Sequence, residues 1–325
     1  MTGGTSAPNP LPFSFAATPD PLVSNWPDQG TPDLGATVGD AGPIANAESP
    51  LFAFGKIQGK DVTYAAYTTV PVSGGQAGGR FGIQDGTQWT FEDIPGAPIA
   101  LTADLTGAPL VLVGDHVIRR SASNAWDSFC LPDTAAGSGA DIAVDATGAW
   151  YVARTGSDRV VRVSRRNTNG TWATESVTTG APPAFAAAVA VGAGTVHVAY
   201  TLGVASDAGV RSGGELHYAR RVGTAWTGHV VMDASSLPKA SGETLSVRSV
   251  RMATDACGAP HFGVYVGGSA TFDAYYFRFT QAGWRGARFE NTCDANAAGG
   301  IALTTQRAFL SFWSCAFQLA AIPLK

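Results

Sequence analysis

The stretch DIAVDATGAWYVARTGSDRVVRVSRRN (141–167) decides the fold. Begun one residue earlier, it parses as ADIAVD, WYVAR and RVVRVSRR, and TWATESV (171–177) adds a fourth piece after the turn NTNG. Each piece is short and rich in β-branched or aromatic residues, and Gly, Asn, Asp or Ser punctuates every junction. That is the pattern of four strands joined by tight turns. Alternation on the first piece is imperfect, as expected for a strand covered on both faces. The same unit recurs along the chain. GKDVTYAAY (59–67), GAPLVLV (107–113), GAWYVAR (148–154), GTVHVAY (194–200), GAPHFGVY (258–265) and RAFLSFW (307–313) stand in one column, with gaps of 48, 41, 46, 64 and 49 residues. A second column, Trp89, Trp126, Trp172, Trp226 and Trp284, follows polar turns. A period of that size suits a four-stranded propeller blade. Six anchors predict an all-β, six-bladed β-propeller over 48–325.

The last blade ends at LAAIPLK after its third strand. An open ring would leave an unpaired edge, so the N-terminal segment is expected to supply the outer strand, through FSFAA (13–17) or a stretch nearer Trp26. Residues 1–47 read as an arm, partly disordered, that carries this ring-closing strand.

Composition narrows the partners. Of the 325 residues, 14% are charged and 45% hydrophobic, so a packed core rather than disorder is expected for most of the chain. Forty Gly and nineteen Pro fit many turns between short strands. A net charge of −4 argues against a nucleic-acid partner, and no apolar run is long enough for a membrane span. MTGGTSAPNPLP at the start has neither a basic nor an apolar leader region. The expectation is an exported protein, periplasmic, cell-surface or secreted, whose leader is absent from this sequence, and a monomer. The four cysteines fit no metal-site spacing. Cys293 and Cys315 fall on the same side of neighbouring blades and are expected to pair, leaving Cys130 and Cys257 free.

Blade 3, at 141–167, resembles an NHL-type repeat, and blade 4, with GTVHVAY followed by GELHYARRVGTAW, resembles the repeats of bacterial sialidase-like propellers. These resemblances imply a scaffold rather than a reaction. The Asp-box pattern Ser-x-Asp-x-Gly-x-Thr-Trp is not met: in IQDGTQW (83–89) the Gly follows Asp85 directly, and no Arg-Ile-Pro motif is present. Sialidase activity is therefore disfavoured.

In a propeller the B–C and D–A loops lie on one face, the top. Here they are the longer ones, at 68–79, 201–214, 232–245 and 290–298, and long loops on a rigid scaffold are where function concentrates. Residues that recur at one repeat position read as scaffold. His197 and His261, the aspartates 104, 145 and 255, and the five column tryptophans are of this kind. Seven residues before the anchors stand Phe52, Ala100, Asp141, Ala187, Arg251 and Gly300. Most neighbours there are small, so the charged Asp141 and Arg251 are expected to face the central channel, as a salt bridge, in water, or around a ligand. Glu48, Glu243 and Asp294 lead into inner strands and, with Asp141, make a candidate oxygen set for Ca²⁺ or another divalent cation. Asp115 and His116, in the short B–C turn of blade 2, are the candidate catalytic pair. Arg154, Tyr200, Tyr265 and Trp313 end their B strands at the same rim and are candidate ligand contacts.

No phosphate loop, nucleophile elbow or His-Glu-x-x-His motif is present. The reading is a hydrolase with one site in the top-face central funnel, taking a small-molecule ester, lactone or phosphotriester with cation assistance. The alternative is a non-catalytic carbohydrate- or protein-binding propeller. A lectin would repeat its contacts blade by blade, and the top-face residues here do not repeat.

Overall fold

The computed structural model describes residues 44–57, 59–71, 78–85, 88–132, 139–180, 182–206, 209–237, 239, 241–268, 272–280, 283–291, 298–303, 306–314 and 316–324. They form six antiparallel meanders, one per blade. Blade 1 holds β1 (Ile44–Ile57), β2 (Lys60–Pro71), β3 (Gly78–Asp85) and β4 (Gln88–Ile94). Blade 2 holds β5 (Pro98–Ala103), β6 (Pro109–Val113), β7 (His116–Arg120) and β8 (Trp126–Cys130). Blade 3 holds β9 (Ala140–Val144), β10 (Trp150–Thr155), β11 (Val161–Arg166) and β12 (Trp172–Ser176). Blade 4 holds β13 (Ala184–Gly192), β14 (Thr195–Ser206), β15 (Gly209–Val222) and β16 (Ala225–Asp233). Blade 5 holds β17 (Ser246–Thr254), β18 (Pro260–Gly267), β19 (Phe272–Thr280) and β20 (Gly283–Asn291). Blade 6 holds β21 (Ala298–Leu303), β22 (Arg307–Ser314) and β23 (Ala316–Pro323).

The first strand of each blade packs beside the first strand of the next, and β21 packs beside β1, which closes the ring. The outer strand expected for blade 6, together with FSFAA and Trp26, lies outside the described residues. Among the described residues no helix is long and apolar enough to cross a membrane.

The anchor column has a conformational cause. Gly59, Gly107, Gly148, Gly194 and Gly258 all have φ between 76° and 87°, the left-handed region that Gly enters without steric penalty. Each sits in the turn between the first and second strands. The carboxylates before three of these turns close them. Asp104 accepts from the Thr106 and Ala108 N–H groups, Asp145 from Thr147 and Ala149, and Asp255 from Cys257 and Ala259, at 2.8–3.1 Å. Burial opposes ionisation of Asp104 and Asp145, but hydrogen bonds from the Thr106 and Thr147 hydroxyls, reinforced by Arg119 and by Tyr151 respectively, outweigh it and hold both below the usual carboxylate range.

The second strands of blades 2, 3 and 4 have a core on each face. On β10, Trp150 and Val152 join Leu110 and Leu112 of blade 2, whereas Tyr151 and Ala153 join Val196 and Val198 of blade 4. On β6, Val111 and Val113 turn the other way, to Tyr64 and Phe81 of blade 1. Period-two strands with two apolar faces read as continuous hydrophobic runs, which is why the anchors stand out. Two buried histidines in these slabs share one arrangement. His197 Nδ1 lies 2.7 Å from the Tyr218 hydroxyl, and His261 Nδ1 2.6 Å from that of Tyr276, the same contact in blades 4 and 5.

Burial lowers the proton affinity of these two imidazoles and of His229, whose Nε2 accepts from the Trp284 indole N–H at 2.9 Å. It pushes His197 down to about 4, with Arg220 adding to the effect, and it lowers His229 and His261 as well. At these three sites the unfolded chain binds more protons than the fold below pH 6.5, and their contribution to stability falls as pH drops from there towards 4. For His197 alone the difference amounts to roughly 3 kcal/mol. Urea titrations at stepped pH should show this loss, and His197→Gln should flatten it. An unchanged slope in that variant would contradict a neutral, buried His197.

Candidate functional site

The charge on Arg251 governs the axis. Arg251 lies on β17 of blade 5, yet its Nη1 donates to the Ala140 carbonyl of blade 3 (3.3 Å) and its Nη2 to the Ile99 carbonyl of blade 2 (3.2 Å). In a ring of six, blade 2 stands opposite blade 5, so one side chain spans the channel. Both carbonyls belong to residues directly before the register positions Asp141 and Ala100. Asp141 is 8% exposed and accepts from the Ile142 N–H (3.0 Å) and from the Val189 N–H on the inner strand of blade 4 (3.4 Å). Burial pushes its pKa up to about 6, and the Arg251 guanidinium works against that rise.

The other expected ligand residues that are described do not gather around Asp141. Glu243 is buried above blade 5, where a side chain on Gly268 would collide with its carboxylate. Tyr265 is 1% exposed and Arg154 is buried too, so neither stands on an open rim. Tyr200 is buried too and stacks on His217 (5.4 Å between centroids), whose Nε2 meets Glu215 at 2.8 Å. Glu48 lies on β1 and Trp313 on β22, with side chains outside the described set, and Asp294 is wholly outside it. Among the described residues no three His, Cys, Asp or Glu side chains converge as a metal cage. At the height of Asp141 the donors are backbone N–H groups and a guanidinium, which fit an anion better than a second cation.

A separate constellation occupies the top edge of blade 2. Val113 pairs with His116, so Gly114 and Asp115 form a two-residue hairpin turn. Gly114 takes the first place with φ 58°, as a type II′ turn requires. Asp115 Oδ1 lies 2.5 Å from His116 Nδ1, and these side chains are 42% and 39% exposed. Across the ladder His116 pairs with Cys130, whose Sγ lies 3.2 Å from His116 Nε2. The imidazole thus sits between a carboxylate and a thiol. The frame beneath is rigid: the Leu131 N–H donates to the Asp115 carbonyl (2.9 Å), and Leu131 is buried. Phe129, on the other side of Cys130, packs edge-on against Trp150 at 5.1 Å. Cys130 is an exposed, free thiol, and so is Cys257, as expected. Cys293 and Cys315 lie outside the described residues.

The dyad is not in the funnel. His116 is on the third strand from the axis, and with strands spaced about 4.8 Å apart it stands roughly 10 Å outward from the inner strand. A cavity of about 640 Å³ opens at the opposite, bottom end, between blades 1 and 2, lined by Phe54, Lys56, Asp104 and Leu105 among others. It holds neither candidate pair. Cys130 is the residue that spacing rules pass over, because they look for cysteine near cysteine. Hairpin symmetry would have found it, since His116 and Cys130 stand equally far from the 121–125 turn.

No protein-family model matches the chain, and no curated protein matches it. Solved structures do. The six-bladed β-propeller fucose lectin of Aleuria aurantia is 12% identical, with a TM-score of 0.51, over 85% of this chain and 96% of that one. A gluconolactonase from Xanthomonas campestris is 13% identical, with a TM-score of 0.49, over 86% and 88%. At such identity the lectin likeness establishes the six-bladed fold alone.

Asp141 titrates against the histidines. Its folded pKa is raised, so the fold binds more protons than the unfolded chain between about pH 4 and 6, and this residue favours folding as pH falls. Asp141→Asn should therefore steepen the acid-side loss of stability. Arg251→Met strands the Asp141 charge and should cost about 3 kcal/mol at pH 8, much less at pH 4.5 where the acid is protonated. An Arg251→Met penalty independent of pH would show that the charge coupling is unimportant.

Proposed function

We propose that this chain is a hydrolase of a small-molecule ester, lactone or phosphotriester, and that Asp115 and His116 handle the proton at the top edge of blade 2. One observation carries the reading: a carboxylate 2.5 Å from Nδ1 of a half-exposed imidazole. A carboxylate there orients the ring, holds the proton on Nδ1 and stabilises the imidazolium that forms when Nε2 accepts a proton. Nε2 is left as the base, and it faces the solvent boundary rather than a packed interior. The rest of the blade holds the pair still, through the two-residue turn that contains Asp115 and the Leu131 N–H bond to its carbonyl. Positioning of this kind is what general-base catalysis needs from a scaffold.

Arg251 already bridges the inner strands of blades 2, 3 and 5, and Asp141 is held by backbone donors. That assigns the axial charges to holding the ring and favours the rim for chemistry. Chromogenic acyl esters, lactones and phosphotriesters are the test set. His116→Gln should lower kcat/KM on the accepted class by about 10²–10⁴-fold, with little change in Tm. Asp115→Asn should lower it less. Turnover unaffected by His116→Gln, or no turnover of any of the three classes, would overturn the proposal.

A further inference from the structure

The hydrolase reading assigns a base but leaves the attacking atom open, and this inference rests on that reading. We infer that Cys130 is the nucleophile, that the reaction passes through an S-acyl enzyme, and that the substrate class is therefore an acyl ester or lactone rather than a phosphotriester. The geometry points there because the three groups stand in sequence. Asp115 Oδ1 is 2.5 Å from His116 Nδ1, and His116 Nε2 is 3.2 Å from Cys130 Sγ. A nucleophile within hydrogen-bond reach of a base that a third group orients is the signature of covalent catalysis. The cluster is open to solvent, with Cys130 exposed and both partners about two-fifths exposed. It is also held on both sides of the sulfur, by the Phe129–Trp150 contact and by the Leu131–Asp115 bond.

The steps balance as follows. His116 Nε2 takes the thiol proton while Sγ bonds to the acyl carbon. The C–O bond to the leaving alcohol breaks, and the imidazolium returns that proton to the departing oxygen. Water then attacks the thioester carbon, giving a proton to His116. The C–S bond breaks, the proton returns to sulfur, and a carboxylic acid leaves. The net reaction is ester plus water to acid plus alcohol, with no oxidant, reductant or co-reactant. Sulfur is a soft nucleophile that attacks acyl carbon readily and tetrahedral phosphorus poorly, which selects between the substrate classes.

Cys257 supplies an internal control. It is likewise exposed and free, but lies in the bottom turn of blade 5, and no imidazole is among its described partners. The first measurement is iodoacetamide alkylation at pH 7, read peptide by peptide by mass spectrometry. Cys130 should react at least about tenfold faster than Cys257, and His116→Gln should abolish the difference. Equal rates in the wild-type protein would overturn the inference. The second is p-nitrophenyl acetate treatment with rapid acid quench. An acetyl group on Cys130, absent from Cys257 and from His116→Gln, supports it. Cys130→Ser and Cys130→Ala, two variants in case one folds poorly, should both lose steady-state ester hydrolysis. If both keep it while His116→Gln loses it, Cys130 is not the nucleophile and the hydrolase reading survives. If Cys130 acetylates in the His116-dependent way but no substrate turns over, the nucleophile stands and the hydrolase reading falls.

Discussion

Neither face of a blade can meet water. Each four-stranded sheet carries apolar side chains on both sides of its B strand, as Trp150 and Val152 on one face of β10 and Tyr151 and Ala153 on the other make plain. A blade on its own would expose one slab or the other, at about 25 cal/mol for each Å² of apolar surface left in water. Burial is complete only when every blade has a neighbour on each side, which forces the chain into a closed ring. The packing of β21 beside β1 is the closure that this constraint requires. Stability is therefore shared between blades, much as in other repeat architectures.

Among the described residues, the channel axis and the top edge of blade 2 both depart from that apolar packing. On the axis the inner strands converge, and the shared register holds Phe52, Ala100, Asp141, Ala187, Arg251 and Gly300. Arg251 and Asp141 are its charged members. Arg251 fills the channel by bonding carbonyls of opposite and nearly opposite blades, and Asp141 ties blade 3 to blade 4. Removing ions from water is costly, and here backbone partners and the mutual attraction of the two charges offset that cost. At the outer top edge the requirement is relaxed, because the last strands of a blade meet solvent. Polar side chains there can be half-exposed yet geometrically fixed by the hairpin beneath them. Asp115, His116 and Cys130 occupy such a place.

Much of this was legible in the chain, for local reasons. The five anchor glycines are needed where φ is positive, so the period is written in residues that the backbone itself demands. Asp104, Asp145 and Asp255 close turns within four residues of themselves, and local contacts leave local patterns. The register of Asp141 and Arg251 could be counted from the anchors. What Arg251 touches could not, since Ile99 lies 152 residues away and no sequence period encodes that contact. The rim reading of Tyr265 and Arg154 took the end of a B strand to be solvent. The structure buries both. The distance of His116 from the axis was hidden for a related reason: a top-face turn was placed by height, and height says nothing about radius.

Covalent acyl chemistry at the blade 2 rim is tested most directly by a crystal structure of the protein trapped with a slowly hydrolysed activated ester. Continuous density from Cys130 Sγ to the acyl carbon, with His116 still between Asp115 and the sulfur, is the expected result. An unmodified Cys130 in crystals that nonetheless hydrolyse the ester, or acyl density confined to other side chains, would contradict it.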